Sequence, residues 1–264
     1  MNATPSAVPS GSHITCTLSD GIADVRLDRP DKLNALSLGM LGELRSTARR
    51  LGRAPGLRAV VISGAGRSFC AGLDLGSAAR DPMAVARAFV PTPRGTNRFQ
   101  EACWAWRRLP VPVIAAVHGH VYGAGVQIAL AADLRLTTPD ARWSVKEVER
   151  GLVPDMSGVR ALTQLVGIET AKRLTFTAEE FTGADAGRLG LAGTVTETPL
   201  DDAFGLAAQI AERRPEAVAA AKRLFDSRWS SGDRRTFAAE RREQLRLLPG
   251  AMRTLQRMKG GRAT

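Results

Sequence analysis

Apolar and polar residues alternate on both sides of the turn SDG, in ITCTL and IADVRLD, which is the period-two pattern of a β-hairpin. The period then changes. In NALSLGMLGELRSTARRLGRA the apolar positions recur three and four residues apart, predicting a helix with Ser37 as its N-cap. LRAVVIS, Leu57 to Ser63, is short, rich in β-branched residues and followed by GAG, so it reads as a buried strand. A long irregular stretch containing prolines, Arg67 to Arg94, separates it from a helix through FQEACWAWRRL. The apolar strand VPVIAAV comes next, then HGHVYGAGVQIALAAD, where glycines cluster between a strand and a helix. Leu134 to Thr137 is a further short strand, closed by the turn TPDA. From Asp201 onward the pattern is helical only: DDAFGLAAQIAERR, PEAVAAAKRLFDSRW and a longer amphipathic run to Met258.

Strands alternating with helices predict an α/β fold. The expected organisation is a flexible head over 1–13, a catalytic core over 14–200 and a C-terminal helical region over 201–264. That tail reads either as an oligomer contact or as a packing cap. At 264 residues and 44% hydrophobic, the chain can bury a real core. No apolar run approaches the roughly 20 residues that span a bilayer, and the N-terminus lacks the pattern of a secretory signal. The three cysteines, Cys16, Cys70 and Cys103, show no metal-ligand spacing, so the expected setting is reducing and cytoplasmic, with no metal.

A net charge of +11 raises the question of nucleic acid. The positive charge is nearly all arginine, scattered among acidic residues and concentrated late in the chain. It lacks the aromatic interleaving of a single-strand binder, so a basic surface that attracts an anionic small molecule is the simpler reading.

The glycine cluster narrows the chemistry. A Walker loop needs GxxxxGK followed by Ser or Thr, but no lysine or hydroxyl follows Gly123 or Gly125. A dinucleotide fingerprint needs GxGxxG, but GAGVQI ends in isoleucine. What remains is the amide of Ala124 near a helix N-terminus, suited to an oxyanion, or else a tight turn with no ligand. GAGRSFCAGLDL, Gly64 to Leu75, also follows a buried strand, and two such turns can supply the two donors that an enolate oxygen needs.

SFCAGLDL and HGHVYGAGVQIALAADLRL resemble the two signature segments of the crotonase, or enoyl-CoA hydratase/isomerase, superfamily. RPDKLNAL resembles its N-terminal segment, WSVKEVERGLVPDMSG its carboxylate segment, and FTGADAGRLGLAGTV a later one. The resemblance runs in order from about Ile14 to Phe225. It implies a crotonase-type superhelix of ββα units with a C-terminal helical region, assembled as a homotrimer or a dimer of trimers. It also implies an acyl-CoA thioester substrate, with no cofactor beyond the coenzyme A that the substrate carries.

By the same match, the amides of Leu73 and Ala124 would form the oxyanion hole, flanked by Ala71 and Gly72. Of the two glutamates that serve hydration in the family, the second falls on Glu147, and the first position holds Gln127. An amide is neither acid nor base near neutral pH. VKEVERGLVPD resembles the corresponding segment of dienoyl-CoA isomerases, which makes Glu147 and Asp155 the candidate proton-shuttling pair. Lys32, Asp74, Gln127 and Trp143 complete the expected substrate contacts, with Met156 as a second wall of the acyl pocket. His118, His120 and Cys70 read as structural. The expected activity is therefore double-bond isomerisation of enoyl- or dienoyl-CoA. The alternatives are hydration of trans-2-enoyl-CoA in fatty-acid β-oxidation, with Gln127 positioning the water, and a non-catalytic acyl-CoA- or RNA-binding protein on the same fold.

Overall fold

The computed structural model describes residues 13–228 together with 237, 239, 241–244 and 246. The expected head, apart from His13, and most of the run to Met258 lie outside the described residues. The hairpin forms as read: β1 (Ile14–Ser19) pairs antiparallel with β2 (Ile22–Leu27). Helix α1 (Leu38–Leu51) follows, and the Ser37 side chain accepts from the Met40 amide. The chain continues through β3 (Ala59–Gly64), α2 (Leu75–Ala79), α3 (Pro82–Ala88), α4 (Arg98–Arg107), β4 (Val113–Val117), β5 (His120–Tyr122) and α5 (Ala124–Ala131). It then runs through β6 (Leu134–Thr137), β7 (Arg142–Ser144), α6 (Gly158–Thr177), β8 (Phe181–Thr182), α7 (Gly183–Leu189), β9 (Thr194–Val195) and α8 (Pro199–Ala211).

Two sheets result. The larger has the order β1-β2-β3-β4-β6-β9 and is parallel from β2 onward; the smaller has the order β5-β7-β8. The unbroken apolar runs of β3 and β4 are explained by burial on both faces. Val60, Ile62, Val113, Ala115 and Val117 point into the main core with α1, α4 and α5. The alternate residues Ala59, Val61, Ile114 and Ala116 meet Ala203 and Ala207 of α8. The first compact unit accordingly runs through Ala211 and includes α8. The second contains helix α9 (Pro215–Arg228). Strands and helices alternate along the chain as the sequence predicts for an α/β fold.

The stretch from Arg67 to Arg94 is less irregular than its composition suggests. It contains α2 and α3, started by Asp74 and Asp81, whose carboxylates accept from the Ser77 and Ala84 amides. Helices of five and seven residues are too short to display a 3.6-residue period, so only their capping aspartates announce them.

A buried carboxylate ties α1 to α4. Glu101 is fully buried. Its Oε1 accepts from the Thr96 hydroxyl and from Arg108 Nη2, both at 2.6 Å, and Arg49 and Arg45 stand 3.5 and 3.7 Å from Oε2. Burial pushes this carboxyl up, but the Thr96 and Arg108 hydrogen bonds and the charges of Arg108 and Arg45 together hold Glu101 below the ordinary glutamate range. A depressed pKa contributes stability that is complete above the unfolded value and is lost as pH falls through the folded one. Glu101→Gln is therefore expected to cost about 1–2 kcal/mol at neutral pH. Thermal unfolding from pH 7 to pH 3 should show the gap from wild type closing only below the ordinary glutamate range.

Candidate active site

The two glycine-containing turns are fastened side by side. Phe69 N–H donates to His118 O at 2.8 Å, Cys70 N–H to His120 O at 3.0 Å, and Tyr122 N–H to Cys70 O at 3.0 Å. A Cβ on Gly125 would lie 2.3 Å from Cys70 O, so the first turn of α5 meets this loop at a distance only a glycine allows. From the other side, Asn34 holds the loop after β3. Its amide nitrogen donates to Ala65 O and Ser68 O, while its oxygen accepts from Arg29 N–H. Asn34 was not singled out in the sequence. The one local signal was an asparagine in a turn, a residue tolerant of the left-handed conformation it adopts, with φ 56°.

Leu73 and Ala124 come from these two turns and line the same cavity, of about 890 Å³. A Cβ on Gly72 would lie 3.0 Å from Tyr122 O and 3.9 Å from Ala124 N, so the two donor segments face each other. Among the described residues, neither the Leu73 nor the Ala124 N–H has an acceptor. Ala124 opens α5, where unsatisfied amides and the helix dipole both favour negative charge. Two free amides on the wall of an apolar cavity are the donor set for an oxyanion.

Three side chains add the rest of the chemistry. Glu147 sits on the 3₁₀ turn after β7, and its Oε1 lies 3.3 Å from the Cβ that Gly123 lacks. Gln127, one turn into α5 and 2% exposed, donates from Nε2 to Glu147 Oε1 at 2.6 Å. Its own Oε1 accepts from Met156 N–H at 2.7 Å and Gly158 N–H at 2.9 Å. Glu147 Oε2 is buried with no partner among the described residues. Asp155 is half-buried and lines the same cavity. Burial pushes both carboxyls above their ordinary values. For Glu147 its own amide and Gln127 oppose the rise while the Asp155 charge adds to it; for Asp155 only its own amide opposes.

Ala71, Gly72, Gln127 and Met156 also line the cavity, whereas Lys32, Asp74 and Trp143 do not. Asp74 caps α2 and pairs with Arg29 at 2.8 Å, which holds its carboxyl below the usual range. Trp143 is a core residue, not a wall: it is fully buried, stacks on Phe181, and donates to Thr137 Oγ1 at 3.2 Å. His118 and His120 are each within 2.9 Å of a partner on the loop after β3, Gly66 O and Ser68 Oγ. The Cys70 thiol is buried and pushed up to about 12, which removes it as a nucleophile near neutral pH. Val85, Phe89 and Phe99 supply an apolar wall. Tyr122, the chain's single tyrosine, lines the cavity with its hydroxyl bonded to Glu180 and Lys146 Nζ 5.1 Å from its ring centroid. No group of three or more His, Cys, Asp or Glu side chains among the described residues could hold a metal ion. Nor, among them, is any helix long and apolar enough to cross a membrane.

Residues 17–252 match the enoyl-CoA hydratase/isomerase family. The mitochondrial Delta(3,5)-Delta(2,4)-dienoyl-CoA isomerase of Homo sapiens is 37% identical over 210 residues, 76% of this chain and 64% of that protein. The chain thus spans less than two thirds of that relative's length. An enoyl-CoA hydratase from Bacillus anthracis superposes with a TM-score of 0.84 at 25% identity, covering 95% of this chain and 97% of its own. A Thermobifida fusca YX relative solved in complex with CoA superposes with a TM-score of 0.78 at 32% identity, covering 91% and 95%.

Proposed function

This chain belongs to the enoyl-CoA hydratase/isomerase family, and we propose that within it the protein moves a double bond in an enoyl- or dienoyl-CoA thioester. One observation carries the reading: Glu147 and Asp155 share a single apolar cavity with the free amides of Leu73 and Ala124. The thioester carbonyl lies between the two amides. One carboxylate removes a proton from the acyl chain, the negative charge passes to the carbonyl oxygen as an enolate, and the other acid returns a proton further along. One proton leaves and one arrives, so nothing else is consumed. Burial raises both carboxyls toward the pH at which such transfers are efficient. The apolar wall of Val85, Phe89 and Phe99 takes the acyl chain.

Gln127 argues against two-acid hydration. Its amide is neither acid nor base near neutral pH, and protein groups already engage its oxygen twice and its nitrogen once. The partnerless Glu147 Oε2 favours a second reading, in which Glu147 alone activates water.

Product analysis in D₂O with 2-enoyl-, 3-enoyl-, 2,4-dienoyl- and 3,5-dienoyl-CoA separates the readings. Bond migration with deuterium in the product and no 3-hydroxyacyl-CoA is the expected result. Accumulation of 3-hydroxyacyl-CoA would overturn it in favour of hydration. Thioester binding without turnover of any substrate would overturn both in favour of a binding protein.

A further inference from the structure

Gln127 touches both acid-bearing segments, and its orientation is fixed. Met156 and Gly158 present only N–H groups, so the oxygen of the Gln127 amide must face them and its nitrogen must face Glu147. The approach is close enough to require a glycine, since a Cβ on Gly158 would lie 2.5 Å from Gln127 Oε1. Met156 directly follows Asp155, and Gln127 itself stands one turn from Ala124 on α5. One planar amide therefore joins the oxyanion helix, the Glu147 turn and the Asp155 turn.

We propose that Gln127 is the positioning residue for both proton carriers: it occupies Oε1 of Glu147, leaves Oε2 as the atom that moves the proton, and fixes the turn that carries Asp155. This rests on the reading of Glu147 and Asp155 as the proton carriers. The neutrality of Gln127 is part of the device. A glutamate here would accept the same two amides with one oxygen and set its other oxygen about where Nε2 now lies, 2.6 Å from Glu147 Oε1. Two carboxyls at that distance cannot both ionise and would share one proton. With an amide opposite, no second carboxyl shares the Glu147 proton through Oε1. The other titratable and charged groups around it are Asp155, the Cys103 thiol of α4, Tyr122 of β5 and, on its own turn, Lys146, Glu149 and Arg150. All are unchanged by a substitution at position 127.

The test is the pH dependence of kcat/KM for Gln127→Glu and Gln127→Met, each checked for folding by thermal unfolding. In Gln127→Glu the limb on which activity rises with pH should move up by more than about one pH unit, with KM little changed. Gln127→Met keeps the volume but releases both turns, and should lower kcat by about 10²-fold, again with little change in KM. A limb in Gln127→Glu that superimposes on wild type, or a wild-type kcat in Gln127→Met, would overturn the proposal. If Gln127→Met does not fold, Gln127→Glu decides alone; if neither folds, Gln127 is structural and the proposal falls. Should the wild type hydrate its substrate, the isomerase reading fails separately, and the same limb, followed by hydration, still decides the role of Gln127.

Discussion

Glu147→Gln is expected to lower kcat for double-bond migration by about 10³–10⁴-fold while acyl-CoA binding stays close to wild type. The reason is the asymmetry of the Glu147 carboxyl. Oε1 is committed to Gln127 at 2.6 Å, and Oε2 is buried without a partner. A glutamine at 147 can still accept from Gln127 through its oxygen, so the local fold survives. What replaces Oε2 is then an NH₂ group, which can donate but cannot take a proton. Among the described residues no side chain bonds to Oε2, which places the loss at the upper end of the range for a general base. Single-turnover isomerisation and isothermal titration with a non-reactive acyl-CoA separate the two effects. A loss of less than tenfold would show that another group moves the proton.

The same substitution carries a stability signature of opposite sign. Burial raises the Glu147 pKa, so the folded protein holds this proton more tightly than the unfolded chain does. That favourable term is complete below the ordinary glutamate range and is lost as pH rises through the raised value. Above it, wild type keeps an ionised carboxylate in an apolar cavity and the variant does not. Glu147→Gln should therefore unfold about 1–3 °C higher than wild type once pH exceeds that raised value, and equally at acid pH. An inactive protein that is also the more stable one is difficult to ascribe to misfolding.

Local pattern carried much of this molecule into view. Period-two alternation marked the β1–β2 hairpin, and unbroken β-branched runs marked β3 and β4 because both of their faces are covered. The turns holding Leu73 and Ala124 were legible because close backbone approach demands glycine at fixed places in the chain. What stayed hidden depends on partners distant in sequence. Nothing near Tyr122 points to Glu180, 58 residues away, and nothing near Gln127 points to Glu147, Met156 and Gly158 at once. Trp143 shows the converse. An indole at that place in the chain suits a pocket wall as well as a core, and only the side chain's burial against Phe181 and Thr137 decides between them.

Because the oxyanion donors are main-chain groups, they can be tested only through the backbone that aims them, and Gly72→Ala does this. Gly72 has φ +100°, where an L-residue is strained, and its Cβ would meet Tyr122 O at 3.0 Å and Tyr122 C at 3.6 Å. The contacted atoms are backbone and cannot swing aside. Gly72 is also pinned through its own carbonyl, which accepts from Leu36 N–H at 2.8 Å. The strain must then be relieved by displacing the segment of Leu73 from that of Tyr122 to Ala124, so that the two amides no longer converge. Losing one such donor costs on the order of 10²–10³ in kcat. The thioester carbonyl stretch of bound substrate gives a readout independent of turnover: it should shift to lower frequency in wild type and much less in the variant. Gly95→Ala is the control, because Gly95 also has a left-handed φ of +77° but has nothing near its missing Cβ. Both variants should lose stability through backbone strain, about 1–3 kcal/mol each. Only Gly72→Ala should lose carbonyl polarisation and turnover. Equal polarisation in the two variants would mean that Leu73 and Ala124 do not hold the carbonyl and that the enolate is stabilised elsewhere in the cavity.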